Sequence, residues 1–214
     1  MEHKTTKNTV SIGTQIHETK IMEAKTYLKK EFNNKYDIDP HFNFLIMAMP
    51  DYRVKDMEML FDKYFKSKLP LKIKLGNLQY EVKHKFFSIP MLGSEVMDFH
   101  KELISILNPI RDDYIREKDL QRINENRTDE EETQNILNYG YLRVLHKFIP
   151  HITIGNIQNN SDIDIQPVKN TLDNILGNLY QSDITISKIY VSFIEDAEIQ
   201  SDYKWLWEKD YILK

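Results

Sequence analysis

The hexapeptide PHITIG at residues 150–155 constrains this chain more than any other segment. It reads as a β-strand, and in a strand residues i and i+2 point to the same face. His151 and Thr153 therefore project side by side, and Ile152 and Ile154 face the opposite, buried side. A second histidine lies 110 residues earlier, in DPHFNFLIMAM. There Pro40 precedes His41, an apolar strand-like run follows, and Asn43 shares the histidine's face. A chain that presents a histidine and a polar donor on two strands, one in each half, can bring two half-sites to one phosphate.

The rest of the chain reads as alternating strands and helices. VSIG at residues 10–13 is a short first strand, and HETKIMEAKTYLKKEF is a helix with Ile21, Ala24, Tyr27 and Leu28 at helical spacing. After the His41 strand, Met57, Leu60, Phe61 and Tyr64 mark a second helix. LKIKLGNLQYEV and KHKFFSIP follow as strands, with Leu78, Tyr80 and Val82 alternating. Ser94 to Leu107 is an amphipathic helix with Ser94 as its cap, stopped by Asn108-Pro109. Residues 110–138 are crowded with charge and short of apolar periodicity. They form either a helical insertion or a mobile surface loop, with a lid over a cleft as the functional alternative to a solvated connection. A helix over residues 165–180, the strand DITISKIYVSFI and a final strand or hairpin in YKWLWEKDYIL complete the chain.

With 214 residues, 41% of them hydrophobic, the chain is long enough to bury one core, and residues 1–214 are expected to be a single bilobal domain with residues 1–18 as a flexible N-terminal segment. The absence of cysteine excludes disulfides, thiol catalysis and thiolate metal sites. No apolar run reaches the roughly 18 residues of a membrane span, and MEHKTTKNTV lacks the apolar core of a secretory signal. A cytoplasmic monomer off the membrane is the expectation. A net charge of −4 argues against binding long nucleic acid, which needs many phosphate contacts from Lys and Arg. A small phosphorylated ligand remains compatible. The lysines between 63 and 85 make one basic surface, in which Lys72 and Lys74 alternate with Leu71, Ile73 and Leu75, and a solvated strand face explains them better than a phosphate-guiding rim.

The two histidine-x-donor strands half a chain apart resemble the motifs of the two-histidine phosphoesterase superfamily, which includes 2′-5′ RNA ligase-like proteins and cyclic nucleotide phosphodiesterases. FIPHITIG is close to the family form. In the first motif Asn43 stands where the family carries Ser or Thr. The order of elements from about residue 20 to the closing Tyr211-Ile212-Leu213 is similar as well. The resemblance implies an α+β fold of two similar lobes, each a small, mainly antiparallel sheet flanked by helices, with His41 and His151 across a central cleft. It also implies a phosphodiesterase acting on a 2′,3′-cyclic phosphate or a 2′-5′-linked oligonucleotide, so the partner is a small nucleotide or short RNA. A phosphodiesterase that degrades cyclic oligonucleotide signals and a non-catalytic nucleotide or RNA-end binder stay open beside it.

The residue types suit that chemistry. Imidazole titrates near pH 6.5, so one histidine can accept a proton while the other donates one. The Thr153 hydroxyl and the Asn43 amide can each donate to a non-bridging phosphate oxygen. The scheme needs no metal or other cofactor, and the sequence holds no HExxH and no Asp-rich cation loop. The remaining histidines have plainer readings. His100 is a helix-surface or partly buried residue, His84 a strand-surface residue between two lysines, His3 and His17 exposed, and His146 close to the second motif without a motif of its own. Tyr139, Tyr141 and Trp205 are candidates to line a cleft near the second motif, and Arg143 and Tyr52 are candidate phosphate neighbours.

Overall fold

The computed structural model describes residues 3–32, 39–157, 164–196 and 203–214. In chain order its elements are β1 (Thr5–Thr6), β2 (Asn8–Gln15), α1 (Thr19–Phe32), β3 (His41–Ala48), α2 (Val54–Phe65), β4 (Leu71–Leu75), β5 (Gln79–Glu81) and β6 (Phe86–Leu92). There follow α3 (Ser94–Leu107), β7 (Ile115–Arg116), α4 (Glu117–Asn124), α5 (Glu130–Tyr139), β8 (His151–Asn156), α6 (Ile165–Leu176), β9 (Asp183–Ile186), β10 (Lys188–Glu195) and β11 (Lys204–Ile212).

Two antiparallel sheets carry the fold. The first runs β11-β10-β2-β3, and the second runs β9-β4-β6-β8 with β5 also paired to β6. Read from the histidine strands outward, β3-β2-β10-β11 matches β8-β6-β4-β9, so the molecule is two similar lobes. The helices tie the lobes together by crossing over. α1 leaves β2 of the first sheet and packs on β8 of the second, whereas α3 leaves β6 of the second sheet and packs on β3 of the first. Each helix buries one stripe: Ile21, Ala24 and Leu28 on α1, Met57, Phe61 and Phe65 on α2, Val96, Phe99, Leu103 and Leu107 on α3, and Val168, Leu172 and Leu176 on α6. The α2 stripe meets β11 through Phe65 and Tyr211, 4.6 Å between ring centroids, and the Lys209 ammonium bridges Glu58 and Asp62 on the same helix.

Two sequence expectations are corrected, and the alternative left open for residues 110–138 is decided for the helical insertion. The segment expected to be a flexible N-terminus holds β2, an inner strand of the first sheet whose Val10 and Ile12 are fully buried. The short strand expected at residues 10–13 lies within it, and its full length and inner position come from pairing with β3 and β10. Ser94 is the first residue of α3 rather than its cap; Gly93 occupies the cap, at φ 110°. Residues 110–138 fold into α4 and α5. A capping box between Asp129 and Glu132 starts α5, and left-handed Gly140 ends it. The insertion is pinned from below by Arg111, 1% exposed, whose guanidinium donates to Asn108 and to the carbonyls of Tyr114, Leu137 and Asn138. Lys72 and Lys74 lie on the exposed face of β4, as expected of a solvated strand face.

The core beneath β3 is aromatic. Phe44 is fully buried and sits edge-to-face with Phe42 at 4.6 Å and with Phe99 at 4.7 Å. Replacing Phe44 by Ala is expected to cost about 3–5 kcal/mol in urea unfolding. Val82→Ala, at a side chain 74% exposed, should cost about 0.5 kcal/mol or less in the same experiment.

Candidate active site

The two motif strands are built alike, down to their irregularities. In β3 the register with β2 jumps between Ile12↔Leu45 and Gly13↔Asn43, so Phe44 is an extra residue, a bulge immediately after Asn43. In β8 the register with β6 jumps between Phe87↔Gly155 and Ser88↔Thr153, so Ile154 is an extra residue immediately after Thr153. Each bulge lies three residues beyond its histidine. Each preceding proline offers its carbonyl to the neighbouring strand: Ile16 N donates to Pro40 O at 2.7 Å, and Met91 N donates to Pro150 O at 2.9 Å. The bulge rephases the strand, so in β3 the partly exposed positions run His41, Asn43 and then Ile46.

The imidazoles are braced in the same way. His41 Nδ1 lies 3.0 Å from the Asp39 carbonyl, and His151 Nδ1 lies 2.8 Å from the Ile149 carbonyl. A carbonyl only accepts, so each ring is held with Nδ1 protonated. In the neutral ring Nε2 is then the bare nitrogen, ready to take a proton. Phe86 stacks on His151 at 5.5 Å. Burial lowers the pKa of His151 below its ordinary value and outweighs the raising effect of the Ile149 carbonyl, and the charge of Arg143 lowers it further.

Around Asn43 a supporting set appears that sequence reading missed. Its side-chain oxygen accepts from the Tyr190 hydroxyl at 2.9 Å and from Ser11 Oγ at 3.2 Å, which leaves the amide nitrogen as the outward donor. Burial, with the nearby Glu208 carboxylate, raises the pKa of Tyr190, so its phenol stays a donor. Gly13 makes this possible, because a Cβ there would lie 2.4 Å from the Tyr190 hydroxyl and 2.6 Å from the Phe42 carbonyl. The available signal was the alternation of Tyr190, Ser192 and Ile194 along β10, three residues that face the same side. Thr153 is exposed, and opposite it in the ladder stands Ser88.

A cavity of about 1340 Å³ runs over this face of the first sheet, from His41 and Asn43 past Tyr190 and Ser192 to Trp205. Arg116 and Lys118 close its far end, so the insertion forms part of the wall. Both cations are already engaged. Arg116 pairs with fully buried Asp119 at 2.6 Å, and Lys118 with Asp196 at 2.8 Å. His151 and Thr153 are not among the residues lining this cavity; they stand on β8, which packs beside β3 without pairing to it. Phe42 and Phe148 bridge the two strands, 6.0 Å apart.

The other candidates fall as follows. His100, expected at the helix surface or partly buried, is 0% exposed. Its place on α3, under β3, reverses the expectation, and burial pushes its pKa down to about 4. His84 sits in the turn between β5 and β6 rather than on a strand. His146 is exposed and pairs with Glu131, and His17 lines the cavity. Trp205 lines the cavity of the first motif rather than the second, and Tyr141 stacks under Arg116 at 4.6 Å. Tyr52 is bonded to Asp112, and Arg143 is the candidate neighbour whose charge reaches a motif histidine. Among the described residues no group of three or more His, Cys, Asp or Glu side chains is arranged to hold a metal, and no helix is long and apolar enough to cross a membrane.

No family model and no curated protein matches the sequence. Solved structures do. TT0787 of Thermus thermophilus superposes with a TM-score of 0.55 at 12% identity, covering 96% of this chain and 97% of that one. E. coli LigT complexed with NADP+ gives 0.52 at 8% identity, covering 99% of each chain, and its complex with phosphate gives 0.51 at 9% identity over 96% of each. A structure described as a phosphoesterase gives 0.50 at 9% identity, covering 97% of this chain and 99% of that one. The chain has an α+β, LigT-like fold.

Imidazole proton resonances followed against pH should show His151 titrating below the usual midpoint of about 6.5. Arg143→Gln should move that midpoint upward, because it removes a charge that opposes protonation. A midpoint at or above the usual value would contradict the burial of this ring.

Proposed function

We propose that the protein is a metal-independent phosphodiesterase in which His41 and His151 act on one phosphodiester. The observation that carries this reading is the repeated brace. Both rings, on strands of matching register and matching bulge, hold Nδ1 against the carbonyl two residues back and leave Nε2 to the substrate.

The reaction follows from those atoms. Water attacks phosphorus and gives its proton to one Nε2. The bond from phosphorus to the departing ribose oxygen breaks, and the second imidazolium supplies the proton that oxygen needs. His151 suits the role of base, because its buried setting favours the neutral ring; His41 is then the acid. Negative charge gathers on the non-bridging oxygens, where the Asn43 amide, fixed by Tyr190 and Ser11, and the Thr153 hydroxyl donate hydrogen bonds. The substrate is a 2′,3′-cyclic phosphate or a 2′-5′-linked oligonucleotide, carried as a small nucleotide or short RNA by a cytoplasmic monomer. The fold shared with LigT, which has been captured with phosphate and with NADP+, supports a phosphorylated ligand.

Incubation of nucleoside 2′,3′-cyclic phosphates, 2′-5′ oligoadenylate and cyclic dinucleotides in excess chelator tests the reading. The expected result is turnover of one class, lowered about 10²- to 10⁴-fold by His41→Ala and by His151→Ala alike, and unchanged by His84→Ala at an exposed turn. Tight binding without turnover, from folded protein, would instead establish a nucleotide-binding module, and degradation of cyclic dinucleotides alone would assign the enzyme to signal removal.

A further inference from the structure

Among the histidines outside the two motifs, His100 alone is fully buried, and both of its ring nitrogens are used. Nδ1 lies 2.7 Å from the carbonyl of Phe44, and Nε2 lies 2.9 Å from the backbone nitrogen of Leu145. An amide N–H only donates, so Nε2 accepts and Nδ1 carries the proton; the ring is the neutral Nδ1–H form by geometry alone.

The two partners are not arbitrary backbone groups. Phe44 is the bulged residue of the first motif, directly after Asn43, on the edge of the first sheet. Leu145 opens the short 3-10 turn that delivers the chain to Pro150 and His151, and it holds a left-handed φ of 53°, a conformation that a leucine keeps only when its surroundings impose it. Phe148, in the same lead-in, lies flat on the His100 ring, 4.0 Å between centroids and 12° between planes. Phe148 in turn touches Phe42, the residue between His41 and Asn43. The two sheets share no ladder between β3 and β8, so this ring supplies a directional polar link where backbone pairing is missing. Loss of the bonds would leave the buried Phe44 carbonyl and the part-buried Leu145 amide without this partner.

We propose that His100 is a positioning residue: its neutral imidazole clamps the bulge of the first motif to the lead-in of the second, and so sets the distance and relative orientation of His41 and His151. This rests on the reading that the two motifs form one site. His100 touches no substrate. The clamp works only while Nε2 accepts, because a protonated ring would present a donor to the Leu145 N–H.

The test compares His100→Ala with Leu103→Ala, a second fully buried position of the same helix, under conditions where both are folded. Imidazole proton resonances of His41 and His151 should both move in His100→Ala and stay in place in Leu103→Ala. On whichever diester the wild type hydrolyses, kcat should fall about 10- to 100-fold in His100→Ala with KM changed by about threefold or less. His100→Gln, which can rebuild one of the two bonds, should recover part of that loss, and it replaces His100→Ala in the comparison if the alanine protein fails to fold. Resonances that stay in place in the folded His100 variants, or that move equally in Leu103→Ala, would overturn the proposal. If the resonances move as stated while the wild type hydrolyses no diester, the clamp stands and the proposed activity falls.

Discussion

Everything at this site depends on one constraint of β structure: alternate residues share a face, and a single inserted residue reverses which set does. In β3 and β8 the inserted residue falls directly after the histidine-x-donor pair, at Phe44 and at Ile154. The pair therefore keeps its own face while the rest of the strand is rephased to the needs of the core. Both strands lie at an inner edge of their sheet, unpaired to each other. A shift of one residue in either ladder would turn a histidine into the core and an isoleucine or phenylalanine outward. The crossing of α1 and α3 onto the opposite lobe holds both registers in one hydrophobic core.

The polar parts are arranged around the same pair of strands. Asn43 stands where the resembled family has a hydroxyl, and its longer side chain is accommodated by absence and by support: no Cβ at Gly13, and two hydroxyls, from Ser11 and Tyr190, on its oxygen. The cations at the far end of the cavity, Arg116 and Lys118, are neutralised by Asp119 and Asp196. The cavity wall therefore adds little net positive charge beyond the motif. That agrees with a chain of net charge −4 and with a ligand that carries few phosphates rather than a long polyanion.

Much of this is legible in the residues. The faces of His41, Asn43, His151 and Thr153 follow from strand period, the stripes of α1, α2, α3 and α6 from helical period, and the solvated face of β4 from its alternating lysines. Other parts depend on partners far along the chain. Neither bulge has a sequence mark, since an extra Phe44 or Ile154 looks like ordinary apolar continuation. Tyr190 and Ser11 meet Asn43 only after β10, β2 and β3 have paired. His100 falls within the apolar stripe of α3, between Val96 and Ile104; its partners, the Phe44 carbonyl and the Leu145 amide, are announced by no local pattern. VSIG marks the N-terminal strand, but that it extends over Asn8–Gln15 as an inner strand depends on its pairing with β3 and β10.

A crystal structure of the protein grown with inorganic phosphate tests the central claim most directly. The account predicts one phosphate within hydrogen-bond reach of Nε2 of both His41 and His151, with the Asn43 amide and the Thr153 hydroxyl on its remaining oxygens. Phosphate held by one motif alone, with the other imidazole turned away from it, would contradict a shared site.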